Sequence, residues 1–298
     1  MENQKIITSE RPTLLSWSIL LLLSLVWGSS YILIKKSLVA FTPMQVGCLR
    51  LSISALAFLP IFLWHFKQID WSKLKYLLIV GLCGSGLPAV LFPLAQTEIS
   101  SSVAGTLSSL TPLFTLIIGA LFFNAAAAWS KLTGILVGLM GAVFLIAFGQ
   151  NAGLKGNLWY GIFILIGCVC YAFSTNIVKE HLQEMRSYKI SAVAFFIVGI
   201  PCLIYLLTTN IVDVIQTDEH GWTSLGTVTV LALGGTLLAT VLFFKLVQLT
   251  NPLFASLVSY LIPMIAMLLG AFDGESITIL HFLGMGLVLL GVYLTKGK

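Results

Sequence analysis

The feature that most constrains the fold is a series of ten apolar runs separated only by short polar breaks. A helix of about 20 apolar residues spans the hydrocarbon core of a bilayer, and each run has about that length. The longest break, around residues 208–223, is too short for a hydrophilic domain. The runs lie near residues 14–34, 44–64, 74–95, 101–122, 131–149, 157–178, 190–207, 224–247, 252–271 and 278–295. This pattern predicts an all-α membrane protein with ten transmembrane helices.

The charge content excludes a soluble domain. Only 9% of the 298 residues are charged and 58% are hydrophobic, whereas an ordinary soluble domain carries roughly 25% charged residues. The positions of the basic residues then predict an orientation. With a cytoplasmic N-terminus, twelve Lys and Arg residues face the cytoplasm, and Lys35, Lys36 and Lys155 face outward. The positive-inside rule therefore predicts an inner (cytoplasmic) membrane protein with cytoplasmic tails at residues 1–13 and 296–298.

The two halves of the chain resemble each other. At an offset of 151 residues the third and fourth runs align with the eighth and ninth, and Pro112 coincides with Pro263. The stretch LVWGSSY of the first run is matched 144 residues later by VCYAFST in the sixth. Five helices is an odd number, so the second copy must be inverted, as in many secondary transporters. We predict a first five-helix repeat at 14–149 and a second, inverted one at 157–295.

Polar residues inside the runs indicate a cavity, because polar groups at membrane depth are tolerated only where they face protein or water. Pro112 and Pro263 each free the carbonyl four residues earlier, that of Ser108 or Ser259, and are predicted hinges. The alternative is an ordinary helix kink whose carbonyl is satisfied locally by the serine. The residues predicted to line a substrate cavity are Ser29, Ser30, Tyr31, Gln96, Ser108, Thr111, Ser174, Thr175, Asn176, Ser259 and Tyr260.

Two charged residues are candidates for a buried charge or a coupling group. Arg50 lies about two turns into the second run, where insertion costs roughly 2.5–3.5 kcal/mol, so it is expected to face the bundle and be paired. The alternative is that it reaches toward the outer surface. Glu98 is a candidate for proton coupling or for pairing with Arg50, or is an ordinary interfacial carboxylate. The Lys35–Lys36 pair is either a solute-steering cluster or an end cap of the first helix, and the cap is favoured.

The sequence contains no recognisable catalytic set. All four histidines fall in breaks or at the ends of runs, and the serine of CGSG (residues 83–86) has no base at a matching depth. A metalloprotease motif and a phosphate-binding glycine loop are also missing from the sequence. We therefore expect a protein that is not an enzyme and that uses no cofactor and no metal.

Several stretches resemble the drug/metabolite transporter superfamily, EamA type: WGSSYILIKKSL, MQVGCLRLSISALAFLP, GILVGLMGAVFLI and the proline-containing fourth and ninth runs. The resemblance covers nearly the whole chain. It implies two EamA repeats, cytoplasmic termini, a central cavity and export of small metabolites or amphipathic compounds. The family often has a Gly-Glu pair between the last two helices of each repeat. The second half keeps Gly274-Glu275, whereas the first has Asn124 near the expected glutamate.

Together these features predict a secondary transporter that works by alternating access. The expected activity is export of a small neutral, zwitterionic or amphipathic metabolite, amino-acid-like or drug-like. The expected partners are that solute and the lipid bilayer, with protons as a candidate coupling ion and no nucleic acid. Both a monomer and a homodimer are compatible with the sequence. The alternatives are a passive channel or lipid scramblase, and a structural membrane subunit.

Overall fold

The computed structural model describes residues 12–123, 132–148 and 157–294, and within these ranges the chain is helical with short turns and no strands. The predicted tails beyond these ranges, and Asn124, lie outside the described residues. The α-helices are α1 (Leu14–Ser37), α2 (Pro43–His65), α3 (Leu74–Gly81), α4 (Leu87–Ala95), α5 (Ser101–Ser108), α6 (Thr111–Phe122), α7 (Leu132–Phe148), α8 (Gly161–His181), α9 (Ser187–Leu207), α10 (Ile211–Thr217), α11 (Gly221–Val230), α12 (Ala239–Leu249), α13 (Pro252–Ser256), α14 (Val258–Phe272) and α15 (Ile279–Leu294).

Eight helical stretches in the described part of the chain are long and apolar enough to cross a membrane. The prediction of an all-α membrane protein is therefore confirmed. The fifth and tenth runs form α7 and α15, which are shorter, with 17 and 16 residues, so ten crossings stay a prediction. The eight stretches are Leu14–Ser37, Pro43–Gln68, Trp71–Ala95, Ser101–Phe122, Gly161–His181, Ser187–Leu207, Gly221–Leu249 and Pro252–Phe272.

Two of these stretches contain a π-helical segment at corresponding positions. Leu82–Gly86 joins α3 to α4, and Leu231–Leu238 joins α11 to α12. Each segment contains one of two glycines that correspond at the 151-residue offset, Gly84 and Gly235 (84 + 151 = 235). Short π segments within α-helices are frequent at functional sites. Both segments are therefore candidates for lining a cavity.

Capping side chains determine where several helices begin. Thr42 precedes α2 and accepts a hydrogen bond from the Gln45 amide, while the Gln45 side chain accepts one from the Thr42 amide. This reciprocal arrangement satisfies two backbone donors that a helix start otherwise leaves free. Ser100 caps α5 and Asn251 caps α13 through their side-chain oxygens. These two caps also correspond at the 151-residue offset (100 + 151 = 251).

The two halves pack reciprocally. Helix α1 of the first half lies against α14 of the second, and α8 of the second half lies against α6 of the first. The second helices of the two halves, α2 and α9, pack against each other, as do α7 and α15. Each half thus uses the same helices to contact the other half, which is the pattern that two repeats related by a two-fold axis produce.

Glycines allow the closest crossing between the halves. A Cβ placed on Gly291 of α15 would overlap the backbone nitrogen of Gly138 on α7, and a Cβ on Gly141 would lie 2.8 Å from the Val288 nitrogen. Such small-residue faces let membrane helices approach closely and gain packing contacts. Helix α15 also contains Gly286, around which a Cβ would meet nothing within 4 Å.

The substitution Gly291→Val is expected to separate α7 from α15 and to lower stability by about 1–3 kcal/mol, the usual cost of overpacking. Thermal unfolding of the purified protein in detergent measures the effect. Gly286→Val, on the same helix but in open space, is the matched control and should leave Tm nearly unchanged. Equal Tm values for the two variants would contradict the proposed packing.

Candidate functional site

A cavity lies between the two halves and takes its walls from both. It encloses about 780 Å³, counted together with its open mouth. Hydroxyl side chains and aromatic rings make up most of its lining. The lining residues are Trp27, Ser30, Tyr31, Ile34, Arg50, Gly84, Phe92, Ser108, Thr111, Tyr171, Ser174, Thr175, Thr240, Phe243, Phe244, Ser256, Ser259 and Ile262.

The structure brings seven of the eleven predicted cavity residues into this lining. They come from four separate parts of the chain: α1, the fourth run, α8 and the ninth run. Because the first helix of each repeat and the proline-containing helix of each repeat meet here, residues far apart in sequence share one space. The seven are Ser30, Tyr31, Ser108, Thr111, Ser174, Thr175 and Ser259.

Four predicted residues lie outside the lining: Ser29, Gln96, Asn176 and Tyr260. The Gln96 amide donates to the carbonyl of Tyr31 at 2.9 Å, which joins the end of α4 to α1. The Asn176 amide donates to the carbonyl of Thr115 at 3.1 Å, which joins α8 to α6. The half-buried Ser29 donates to a carbonyl of its own helix. The three side chains with these bonds therefore satisfy backbone carbonyls within the bundle.

The cavity walls repeat across the two halves. The Ser30 hydroxyl lies against Gly235, where an added Cβ would come within 2.6 Å of it, and the Ser174 hydroxyl lies against Gly84 in the same way. Ser30 corresponds to Ser174 (30 + 144 = 174), and the two glycines are those of the π segments. Each half thus presents a serine of its first helix to the π segment of the other half.

The aromatic walls follow the same rule. The rings of Trp27 and Phe243 have centroids 5.1 Å apart, and those of Tyr171 and Phe92 are 5.8 Å apart. Trp27 corresponds to Tyr171 (27 + 144 = 171) and Phe92 to Phe243 (92 + 151 = 243). Of these four rings, the sequence suggested Tyr171 as one that could stack against a ligand, and it did not suggest Trp27, Phe92 or Phe243. The two offsets would have found them, because each ring occupies the position equivalent to another one.

A third correspondence lies beside the cavity. Ser24 on α1 donates to the Val258 carbonyl at 3.2 Å, and Cys168 on α8 donates weakly to the Leu107 carbonyl at 3.9 Å. These pairs also interchange under the two offsets (24 + 144 = 168; 107 + 151 = 258). The first helix of each half therefore bonds to the interrupted helix of the other half.

Both carbonyls released by the prolines are hydrogen-bonded. The Ser108 carbonyl accepts from the Thr111 hydroxyl at 2.7 Å, which is a local bond. The Ser259 carbonyl accepts from the Ser109 hydroxyl at 3.0 Å, which is a bond between the halves. Both proline-containing runs are interrupted, between α5 and α6 and between α13 and α14. A hinge role for Pro112 and Pro263 stays a prediction.

The two candidate buried charges lie in different environments. Arg50 is only 8% exposed, lines the cavity and donates from Nε to the Thr236 hydroxyl. Glu98 accepts from the Asn157 amide at 3.0 Å in an exposed loop. The ion pairs formed by the described residues do not include one between Arg50 and Glu98.

Ion pairs join the two halves at one end of the bundle, in the end cluster, defined here as Lys35, Lys36, Asp273 and Glu275. Lys35 Nζ lies 2.8 Å from Asp273 and 3.3 Å from Glu275, and Lys36 Nζ lies 2.7 Å from Asp273. The sequence alone left the role of Lys35 and Lys36 undecided. In the structure, both lysines form ion pairs between the halves. The turn that carries both acids depends on Gly274, whose φ of +82° suits glycine.

Glu275 also caps a helix of the other half. Its carboxylate accepts from the backbone amides of Ser101 and Ser102 at 3.0 and 3.2 Å and from the Ser102 hydroxyl at 2.7 Å. A carboxylate at a helix start is favoured by the free amides and the helix dipole. Burial raises the pKa of Glu275, but the bonds from Ser102 and Ser101 and the charge of Lys35 outweigh it, and the pKa falls below its usual value.

The opposite end is held differently. Lys179, which corresponds to Lys35 (35 + 144 = 179), donates to the backbone carbonyl of Thr250 at 2.9 Å. The turn of the first half that is equivalent to the one with Asp273 and Glu275 includes Asn124 (275 − 151 = 124), which lies outside the described residues. Within the described residues, the first end therefore has three ion pairs between the halves, whereas at the other end Lys179 bonds to a carbonyl of its own half and Lys189 Nζ donates to Gln68 Oε1 of the first half at 3.0 Å.

These observations define a multi-pass integral membrane protein made of two similar halves around a shared cavity. The sequence model of the EamA-like transporter family matches residues 15–147 and 158–296, one match per half. An "Uncharacterized transporter" of Archaeoglobus fulgidus is 27% identical over 95% of this chain and 99% of its own length. The "Uncharacterized inner membrane transporter YedA" of Escherichia coli K12 is 26% identical over 93% and 89%.

A solved crystal structure shares the fold, with a TM-score of 0.63 and 16% identity over 94% of this chain and 95% of that one. The chain belongs to the EamA-like transporter family, and it is a membrane transporter built from two EamA repeats. The resemblance noted in the sequence is confirmed.

The end cluster is expected to make stability depend on pH in the acidic range. Hydrogen bonds from Lys35 and Lys36 lower the pKa of Asp273, and the pKa of Glu275 is also lowered. Because both are lower in the folded state, their stabilisation is present above the unfolded pKa values of about 4 and is lost as pH falls through the folded ones.

The double variant Asp273→Asn/Glu275→Gln should therefore have a Tm about 2–6 °C lower at pH 7, and a smaller loss of Tm between pH 5 and pH 3, than the wild type. Thermal unfolding in detergent across this range measures both quantities. Glu219→Gln removes an exposed carboxylate outside the cluster and serves as the control. Parallel pH profiles for the wild type and the double variant would refute a role for the cluster.

Proposed function

We propose that the protein is a secondary-active exporter that moves a small neutral, zwitterionic or amphipathic metabolite, amino-acid-like or drug-like, by alternating access. The observation that carries the proposal is the shared cavity, whose serines, glycines and rings come in matched pairs from the two repeats. A site built equally by two repeats is the arrangement in which rocking of one against the other opens it to each side in turn.

The proposed topology has ten transmembrane helices in two inverted repeats, with both termini in the cytoplasm of an inner membrane. The reciprocal contacts of α1 with α14 and α8 with α6 support the inverted arrangement. The excess of basic residues in alternate breaks supports the orientation. In this orientation the end cluster faces outward, and the bond between Lys179 and Thr250 faces the cytoplasm.

The contacts at the two ends give the carrier two gates. Opening the outer gate separates Lys35 and Lys36 from Asp273 and Glu275, and opening the inner gate separates Lys189 of the second half from Gln68 of the first half. A passive channel or a lipid scramblase is the alternative for the same membrane. A channel or scramblase would not need its outer and inner gates to open in alternation. Protons are the proposed coupling ion, and either a monomer or a homodimer would operate in this way.

Counterflow into proteoliposomes tests the proposal. Vesicles preloaded with an unlabelled amino acid, sugar, nucleobase or cationic dye should take up the labelled form faster than empty vesicles, with and without a pH gradient. Ser259→Phe, which places a ring in the cavity, should abolish most of this uptake. Met264→Phe on the same helix, at a side chain 52% exposed on the bundle surface, should not. Uptake that is indifferent to preloading would identify a channel instead.

The hinge proposal is tested by Pro112→Ala/Pro263→Ala. Restoring the two backbone donors should pair the Ser108 carbonyl across the break before α6 and the Ser259 carbonyl within α14. Both helices should then bend less easily and counterflow should slow, because gating needs that bending. Pro60→Ala changes a proline inside α2 whose side chain is exposed, and it should transport like the wild type. Normal counterflow by the double variant would refute the flexure role of the two prolines.

A further inference from the structure

The cavity lining contains a single charged side chain, Arg50, and no carboxylate. Arg50 is only 8% exposed, and its Nε donates to the Thr236 hydroxyl. The ion pairs of the described residues do not involve it. An arginine at membrane depth is costly and normally has a partner of opposite charge, so the unbalanced positive charge requires an explanation.

Arg50 also breaks the correspondence between the halves. Helices α2 and α9 begin 144 residues apart (43 + 144 = 187), and the stretch of α9 equivalent to Arg50, residues 191–197, contains only uncharged side chains. Thr236 corresponds to Ser85 (236 − 151 = 85), a buried hydroxyl without a hydrogen-bond partner in the described structure. The similarity of the two repeats therefore does not account for an arginine at this position.

The guanidinium lies at the aromatic part of the cavity. It is close enough to the side chains of Tyr31 and Tyr171 to interact with them electrostatically, and both rings line the same space. A guanidinium offers five donors in a planar fork that matches a carboxylate or a phosphate. Charge-assisted bonds of this kind are the strong ones in a water-poor site.

We propose that Arg50 is the head-group anchor of the transport site, and that the solute carries one anionic group, a carboxylate or a group of similar shape, on an apolar or aromatic body. This inference rests on the proposed transport function and specifies the solute class for the same cavity. The anion would supply the missing counter-charge at Arg50. The rings of Trp27, Phe92, Phe243 and Phe244 would cover the apolar body.

The opposite charge is disfavoured in this site. A cationic head group would meet the positive charge of Arg50, and the lining has no carboxylate to compensate it. A neutral head group would use the serine and threonine hydroxyls but would leave the guanidinium unpaired. A zwitterion satisfies the proposal through its carboxylate, with its ammonium group against the aromatic faces.

Three probes with the same phenylpropyl skeleton test the inference: 3-phenylpropanoate, 3-phenylpropanamide and 3-phenylpropylamine, whose head groups are an anionic carboxylate, a neutral amide of the same planar shape and a cationic ammonium. Binding to the full-length protein in detergent is measured by thermal-shift titration. The carboxylate is expected to bind at least about tenfold more tightly than the amide, a difference of ~1.4 kcal/mol, and the amine should bind most weakly. Equal thermal shifts for the three probes, or tightest binding of the amine, would overturn the proposal, and measurements on the wild type are enough to decide this.

Variants then assign the preference to Arg50. Arg50→Gln should bring carboxylate and amide to within about twofold, whereas Arg50→Lys should keep the order with weaker binding, because it keeps the charge but loses the fork. Lys245→Gln removes an exposed charge outside the cavity and should keep the wild-type order. A carboxylate preference that persists in Arg50→Gln would overturn the assignment.

The two proposals fail in different ways. Counterflow without a carboxylate preference would leave the carrier in place and remove Arg50 as its anchor. A carboxylate preference that depends on Arg50, in a protein that gives no counterflow, would leave the anion site in place and remove the carrier.

Discussion

A helix inside a bilayer has no water with which to satisfy its backbone, so every interruption of a helix there needs a partner from elsewhere in the protein. In this protein the interruptions before Pro112 and near Leu257 are satisfied by side chains. The Ser109 hydroxyl donates to the Ser259 carbonyl of the other half. The Ser24 hydroxyl donates to the Val258 carbonyl, and the Cys168 thiol donates to the Leu107 carbonyl, and each of these bonds also joins one half to the interrupted helix of the other. Apart from the local bond from Thr111 to the Ser108 carbonyl, the bonds that satisfy the broken helices are thus also bonds between the repeats.

This requirement explains why the cavity lies where it does. Broken helices must face protein, and in the described part of the chain both of them face the junction of the two repeats. The π segments that contain Gly84 and Gly235 bring the backbone of each half close to a serine of the other. The small residues, the hydroxyls and the interruptions therefore lie together, around a cavity lined by hydroxyl groups and aromatic rings.

The sequence contained enough to predict the helices, the repeat and part of the cavity. Apolar runs are long and capped by Thr42, Ser100 and Asn251, so helix positions follow from local physics. An amide such as that of Gln96 satisfies a buried carbonyl as readily as it lines a cavity, and only the fold distinguishes the two. An aromatic ring in an apolar run has no distinguishing polarity, so Phe92 and Phe243 become recognisable only through the offset that pairs them.

The two ends of the bundle differ in a way that the repeat does not require, and magnitudes show which contact matters. Lys35 and Lys36 are 39% and 51% exposed, and such pairs contribute only about 0.2–1 kcal/mol each. Glu275 is 7% exposed and accepts three bonds from the start of α5, and a hydrogen bond to a charged group contributes about 1.5–3 kcal/mol. The carboxylate, more than the lysines, therefore holds this end closed. A solute can shift the balance between two states only by its difference in affinity for them. In the proposed carrier, its contacts in the cavity would therefore have to compensate for the loss of this helix cap.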